Sequence, residues 1–495
     1  MLTTLAMIIP SAFVFLFALQ PPLDLDLGWH LRYGEFFFTT GHVLKDNIIS
    51  YIWPHYQWVQ ASWGYDLLVY QLFTRFGFLG LSIAGAIITL AIFIVVTYPQ
   101  RRFNFFQLFF LAAVFLTQST PLYSTGIRSQ TPSTLMFAFL LVLLHRFLTS
   151  GGRVYLVLPF LFLLWANLHG GFALGLIVAI VVWAGYGGLL LTQKMTRKSL
   201  TPVSLKRWVI LGITLLFSSL ATLLNPWGVR IYEETFKHGS NVNLTMISEW
   251  MPLTNWRTES IILISLALLA IFIAAVGKKL ITYLPYLLSL VLVAMLALSA
   301  VRFTIVFGLM LTFYLALLLP DIPPLPHRYK MLIPVLKFLP ILLVLLDLFF
   351  THRYLFFPNP KIFNYTWYDY CNSANDCSEE IGKLMAADPP KGNGYNTYNF
   401  GGYLAWRVPQ VKTFMDGRMA AWMEGNQTPP VADIDQAFVD TTPITFRRLD
   451  SQYHFGWVII PTQSAAANYL NELTKSGRWE RRYTDSFYSY YVKEN

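Results

Sequence analysis

Hydrophobic positions in the first 350 residues run in long blocks rather than in the alternating or one-sided patterns of soluble strands and helices. Ile83 to Val96, Leu135 to Leu144, Val154 to Trp165 and Ile261 to Val276 hold no Asp, Glu, Lys or Arg, and Leu332 to Leu346 holds only Lys337. With its flanks each block approaches the roughly 20 residues that cross a bilayer. Soluble core helices seldom stay apolar all round over such lengths. The pattern predicts about eleven transmembrane helices. The first, Leu2 to Leu19, reads as a retained span: it has no basic leading region, and Gln20, Pro21 and Pro22 make a poor cleavage site.

Between the blocks lie two long polar loops, 20–62 and 225–258. In the second half of the first, Trp58, Trp63, Tyr65, Leu67, Leu68, Tyr70 and Leu72 predict an amphipathic helix lying on the membrane at interfacial depth. Gly34, Gly41 and the run Lys45 to Asn47 predict short turns before it. From about 281 to 319 the chain is apolar except for Arg302. A guanidinium at mid-bilayer is costly, so Arg302 is expected at an outer corner between two spans.

Basic residues recur at every second loop: Arg101/Arg102, Arg146/Arg153, Lys194 to Arg207, Lys278/Lys279 and His327/Arg328/Lys330. The positive-inside rule makes these loops cytoplasmic. The N-terminus is then cytoplasmic in a plasma (inner) membrane, and an odd number of spans puts the C-terminal residues outside. This bias accounts for most of the net charge of +10, and no basic groove interleaved with exposed aromatics points to nucleic acid. With 55% hydrophobic and 13% charged residues the chain carries too few charges to solvate a globule of its size.

Past Asp347 the composition turns polar, and two domains follow: 1–350 in the membrane and 351–495 as a small extracytoplasmic α/β domain. There Asn393 to Gly402 reads as turn-rich, Leu404 to Val408 as helix or strand, and Lys412 to Met415 and Trp457 to Ile460 as buried strands. Ser464 to Lys475 reads as a helix and Trp479 to Val492 as a strand or hairpin. The two cysteines, Cys371 and Cys377, both fall here, as one local disulfide in an oxidising compartment or as two unrelated thiols.

Candidate chemistry collects in the predicted outer loops. Asp24 and Asp26 precede His30, Arg32 and Glu35; on a helix over 26–35, Asp26 and His30 share a face. Two carboxylates and an imidazole there suit a general base or a divalent cation such as Mg or Mn, with helix capping and solvation as the plainer alternative. Arg128 and Arg302 suit a phosphate or a lipid head group. His169 reads either as functional or as bonded to a backbone carbonyl. Glu249 reads as a supporting acid or a surface carboxylate, and Asp416-Gly417-Arg418 as an outer-domain candidate or an Asp-Gly turn with a neighbouring ion pair. No phosphate-binding glycine loop, HExxH, GxSxG or Cys/His metal set is present.

Taken together, Asp24-Leu25-Asp26-Leu27-Gly28-Trp29-His30-Leu31-Arg32-Tyr33-Gly34-Glu35, Ile127-Arg128-Ser129-Gln130, Trp165-Ala166-Asn167-Leu168-His169-Gly170, Leu224-Asn225-Pro226-Trp227-Gly228 and Glu249-Trp250 resemble the GT-C superfamily of membrane glycosyltransferases, which includes oligosaccharyltransferases and protein O-mannosyltransferases. The likeness continues through Asn399-Phe400-Gly401-Gly402-Tyr403-Leu404 and Phe414-Met415-Asp416-Gly417-Arg418. It implies a multi-pass GT-C-like fold, with Asp24 or Asp26 as the catalytic carboxylate, acting as base or metal ligand. It also implies a polyprenyl-phosphate sugar donor, hexosyl or pentosyl transfer with inversion, and an envelope acceptor that is a glycan, lipid or protein. The Trp-Trp-Asp run of oligosaccharyltransferases is absent, which argues against an Asn sequon as acceptor. Two other classes compete: a transporter or flippase for a lipid-linked or polar solute, and a non-catalytic envelope scaffold.

Overall fold

The computed structural model describes residues 2–97, 103–237, 247–255, 257–321, 342, 360–374, 376–424 and 443–494. Apart from Leu342, the predicted block Leu332 to Leu346 lies outside these, as do Asp347 and the basic groups Arg101/Arg102 and His327/Arg328/Lys330.

Helices dominate: α1 (Leu2–Ala18), α2 (Leu27–Thr40), α3 (Trp63–Thr97), α4 (Phe105–Gln118), α5 (Gln130–Ser150), α6 (Val157–Leu168), α7 (Phe172–Thr196), α8 (Leu205–Ala221), α9 (Arg257–Val276), α10 (Leu284–Ser299), α11 (Thr304–Leu318), α12 (Trp367–Ala374), α13 (Glu379–Ala387), α14 (Tyr398–Arg407) and α15 (Ala465–Lys475). Among the described residues five apolar stretches are long enough to cross a membrane: Trp63–Thr97, Gln130–Ser150, Phe172–Thr196, Thr258–Val276 and Val301–Leu318. Ile8–Ala18, Phe105–Gln118, Val154–Leu168 and Leu284–Ser299 are shorter apolar helices.

The residues gather into two compact units. The first comprises 1–21, 81–232 and 248–362; the second comprises 22–80, 233–247 and 363–495. In the first, α11 packs on α4 and α10, while α8 packs on α6 and α7. Asn104 and Gln107 form a reciprocal capping box at the start of α4, satisfying two otherwise orphan amides. Arg207 donates from Nη1 to the Leu148 and Thr149 carbonyls at the end of α5, where the helix dipole favours a cation. The chain leaves helix at Ala300 (φ −155°, ψ 131°) and turns through Val301–Phe303, so Arg302 sits at a corner between α10 and α11, as its charge requires.

The second unit holds a four-stranded sheet in the order β1-β2-β4-β3, built from β1 (Asn393–Tyr395), β2 (Phe455–Pro461), β3 (Trp479–Thr484) and β4 (Tyr488–Lys493). β1 and β2 are parallel, and the other pairs are antiparallel. Trp457, Val458, Ile459 and Ile460 are all fully buried, which is why β2 reads as a continuous apolar run. Ser464 caps α15 by accepting from the Ala467 amide. Asp485 Oδ1 accepts from the Phe487 and Tyr488 amides and so closes the β3–β4 hairpin.

Four local expectations are corrected. Gly34 lies inside α2 rather than in a turn, because a Cβ there would stand 2.4 Å from Tyr70 Cβ and 2.5 Å from the Asp66 carbonyl. Asn393 to Gly402 is β1 followed by the start of α14. Lys412 to Met415 forms no strand, only a single bridge between Thr413 and Ser50. The helix expected in the second half of the first loop begins only at Trp63, past that loop and without Trp58, and Gly77 (φ 61°, ψ −157°) interrupts it.

Candidate functional site

In the second unit the acid pair lies just before α2. Asp24 is buried and its Oδ1 accepts from the Asp26 amide at 3.3 Å. Asp26 takes the N-cap position of α2 without a side-chain cap bond; its Oδ1 accepts instead from the Trp29 indole N–H at 2.8 Å. Its side chain remains half-buried.

The backbone around the pair is held tightly within this unit. Tyr370, fully buried on α12, donates its hydroxyl to the Asp24 carbonyl at 2.6 Å. α14 packs directly on α2, and glycine makes that approach possible: a Cβ on Gly28 would lie 1.9 Å from the Gly402 carbonyl oxygen. One on Gly402 would lie 2.4 Å from the Leu25 oxygen, and one on Gly417 only 1.8 Å from Asp26 Oδ1. A disulfide joins Cys371, which follows Tyr370, to Cys377.

His30 points into the core. Its Nδ1 lies 2.5 Å from Asp66 Oδ1, Gln60 donates to the other Asp66 oxygen at 3.0 Å, and all three residues are at most 2% exposed. The Trp29 ring stands 3.6 Å from the imidazole. Sequence reasoning missed Asp66 and Gln60. The available signal was an acid set among the aromatic and aliphatic positions at the start of α3, where the amphipathic pattern calls for an apolar residue. Arg32 and Glu35 pair with each other one turn apart on α2.

Asp416-Gly417-Arg418 forms a turn with an ion pair between Asp416 and Arg418. Both are buried: Arg418 donates to both Asp416 oxygens at 2.7 Å and to the Tyr33 hydroxyl at 3.0 Å, and its Nη2 lies 3.4 Å from Asn47 Oδ1. The guanidinium also lies over the Tyr33 and Trp422 rings. Burial raises the Tyr33 phenol above its ordinary value, although the Arg418 charge opposes this.

The first unit carries a separate constellation. Arg128, just before α5, donates to Glu249 at 2.7 Å, and Arg302 stacks over the Trp250 ring at 4.1 Å. Glu249 is therefore no ordinary surface carboxylate. Burial pushes it up, but the charges of Arg128 and Arg302 and the hydrogen bond from Arg128 outweigh that and hold it below the usual value. These side chains line a cavity of about 380 Å³ together with Gln118, Gln130 and Glu259. Gly308 of α11 admits the end of α4 beside it, since a Cβ there would meet Gln118 at 2.8 Å. The Thr125 and Thr304 hydroxyls, also on the lining, are buried without a hydrogen-bond partner among the described residues. His169 stands elsewhere, between α6 and α7. Its Nδ1 accepts from the Gly171 amide at 2.9 Å, a backbone contact of opposite sense to the carbonyl bond expected.

No group of three or more His, Cys, Asp or Glu among the described residues is placed to hold a metal. Asp24 and Asp26 each accept a hydrogen bond on Oδ1, and among the described residues no third His, Cys, Asp or Glu joins them.

No protein-family model matches the sequence, and no curated protein matches it. Among solved structures, the Archaeoglobus fulgidus oligosaccharyltransferase, determined with Zn and sulfate, aligns with a TM-score of 0.57 at 13% identity. That alignment covers 92% of this chain and 68% of the other. The arabinofuranosyltransferase AftD from mycobacteria aligns with a TM-score of 0.51 at 13% identity, over 99% of this chain and 41% of its own. Both are GT-C glycosyltransferases, and this chain has the fold they share.

Proposed function

We propose that the chain transfers a hexosyl or pentosyl unit from a polyprenyl-phosphate carrier to an extracytoplasmic acceptor, a glycan, lipid or protein of the cell envelope. In this reading residues 1–350 form a membrane domain of about eleven spans with its N-terminus in the cytoplasm of a plasma (inner) membrane, and 351–495 lie outside. The observation that carries the reading is how Asp26 is held in a GT-C fold: a half-buried carboxylate, oriented by the Trp29 N–H, on a backbone clamped by Tyr370 and Gly402. A general base needs such a fixed and reachable carboxylate. Asp24, buried and turned onto the Asp26 amide, serves as a positioning residue.

The acceptor O–H gives its proton to Asp26 while its oxygen bonds to the anomeric carbon. The bond from that carbon to the phosphate oxygen breaks, and the electron pair leaves with the phosphate. A single displacement of this kind inverts the anomeric centre. The departing anion needs cations more than a proton donor.

The test is transfer of radiolabelled sugar from a panel of polyprenyl-phosphate donors to a membrane extract by the full-length protein. Asp26→Asn keeps the shape and the Trp29 contact but removes the basicity, so transfer should fall by about 10² to 10⁴. Full activity in both Asp26→Asn and Asp24→Asn would sink the assignment.

A further inference from the structure

Four residues past His30 on the same face of α2, Gly34 admits α3: a Cβ there would stand 2.5 Å from the Asp66 carbonyl oxygen. This close approach brings the Asp66 side chain against the imidazole, and His30 Nδ1 lies 2.5 Å from Asp66 Oδ1. The carboxylate is fixed from its other side as well. Gln60 donates to Oδ2 at 3.0 Å, and Ser62 donates its hydroxyl to the Gln60 amide oxygen at 3.3 Å. Tyr65 stands edge-on to the imidazole at 4.9 Å and is as deeply buried as His30, Gln60 and Asp66. Hydrogen bonds this far from water are strong and hold one geometry.

The network ends on the residue that touches Asp26. Neighbouring side chains on a helix do not normally face each other. Trp29 and His30 nevertheless bring their ring centroids to 3.6 Å, with planes tilted by 33°. Trp58 and Tyr33 meet the same indole edge-on and farther off, at 5.5 and 5.8 Å. The imidazole is therefore the nearest of these three walls, and Asp66 sets where it stands. The indole it supports donates its N–H to Asp26 Oδ1 at 2.8 Å. We infer that His30 and Asp66 are positioning residues: the carboxylate holds the imidazole, the imidazole seats the indole, and the indole N–H aims Asp26. The inference rests on Asp26 being the base of the transfer proposed above.

The test uses the full-length protein, membrane extract in excess and the radiolabelled polyprenyl-phosphate sugars of the panel above. His30→Phe keeps a ring against the indole but loses the bond to Asp66. Asp66→Asn keeps the size but offers one acceptor oxygen where the carboxylate offers two. Each should lower the donor-saturated rate by about tenfold to hundredfold, per mole of folded protein, with the donor KM nearly unchanged. Trp29→Phe, which has no N–H to aim Asp26, should cost a similar factor. Adding His30→Phe to it should cost nothing more, because both changes act through the same N–H. Losses that multiply in the double variant, or a change confined to KM, would overturn the inference. Structures of the His30→Phe and Asp66→Asn variants read the same claim without activity: the indole N–H should leave Asp26 Oδ1, and an unchanged contact in both would overturn it. A wild type that transfers from no donor, with the indole displaced in the variants, would remove the glycosyl-transfer reading and leave the coupling of His30 to Trp29 standing.

Discussion

The hydroxyl of Tyr370 donates to the backbone carbonyl of Asp24 across 346 residues of sequence at 2.6 Å. Because Tyr370 is fully buried, the bond is shielded from water, and without it the Asp24 carbonyl keeps the donation from the Leu27 amide at 3.0 Å. Tyr370→Phe should cost about 0.5–1.5 kcal/mol of stability, read by chemical denaturation of the purified protein. Transfer should fall as well, because the variant loosens the turn that carries Asp26. Unchanged transfer by a measurably destabilised variant would show that this anchor has no part in activity.

Gly417 and Gly402 allow packing and chemistry to be separated. The atom a Gly417 Cβ would strike is Oδ1 at the tip of the Asp26 side chain, which can swing aside by giving up the Trp29 N–H, whereas at Gly402 it is the Leu25 backbone, which cannot. Gly417→Ala should therefore leave the unfolding midpoint nearly unchanged while lowering kcat by about tenfold or more, since the base is displaced. Gly402→Ala should instead destabilise by about 1–3 kcal/mol through overpacking. Equal losses of stability in the two variants would contradict this division.

These glycines also show what could and could not be read from the chain. Apolar runs and local signals were legible: the buried run of β2, the helix over Ser464 to Lys475 and the strand or hairpin over Trp479 to Val492 depend on near neighbours in sequence. The glycines in α2 and α14 look like turn residues because their role is to admit a backbone far away in the chain. For the same reason Asp66 was invisible as the partner of His30, and the turn and ion pair at Asp416-Gly417-Arg418 were legible while their burial was not. That burial depends on Tyr33, which lies 385 residues from Arg418.

The Asp416–Arg418 pair gives the second unit a test of its own. Removing one member of a buried pair strands the other charge, at a cost of about 3–5 kcal/mol. Arg418→Met should reach that range. Arg418→Lys keeps the charge but cannot reproduce the fork that meets both Asp416 oxygens together with the Tyr33 hydroxyl, so it should also destabilise. Thermal unfolding of the full chain checks both variants, and a lysine variant as stable as wild type would mean that charge alone is required.

Glu249 sets a pH dependence whose sign follows from its environment. Burial raises its carboxyl, but Arg128 and Arg302 more than compensate, so its folded pKa lies below that of the unfolded chain, about 4.3 for a free glutamate. A carboxylate depressed in this way contributes stability in full above the unfolded value and loses it as pH falls through the folded one. The wild type should thus exceed Glu249→Gln in unfolding temperature by a constant margin between about pH 6 and 8, and the margin should shrink below about pH 4 as Glu249 takes up a proton. A margin that widens on acidification would mean that the guanidiniums do not hold this carboxylate in its charged form.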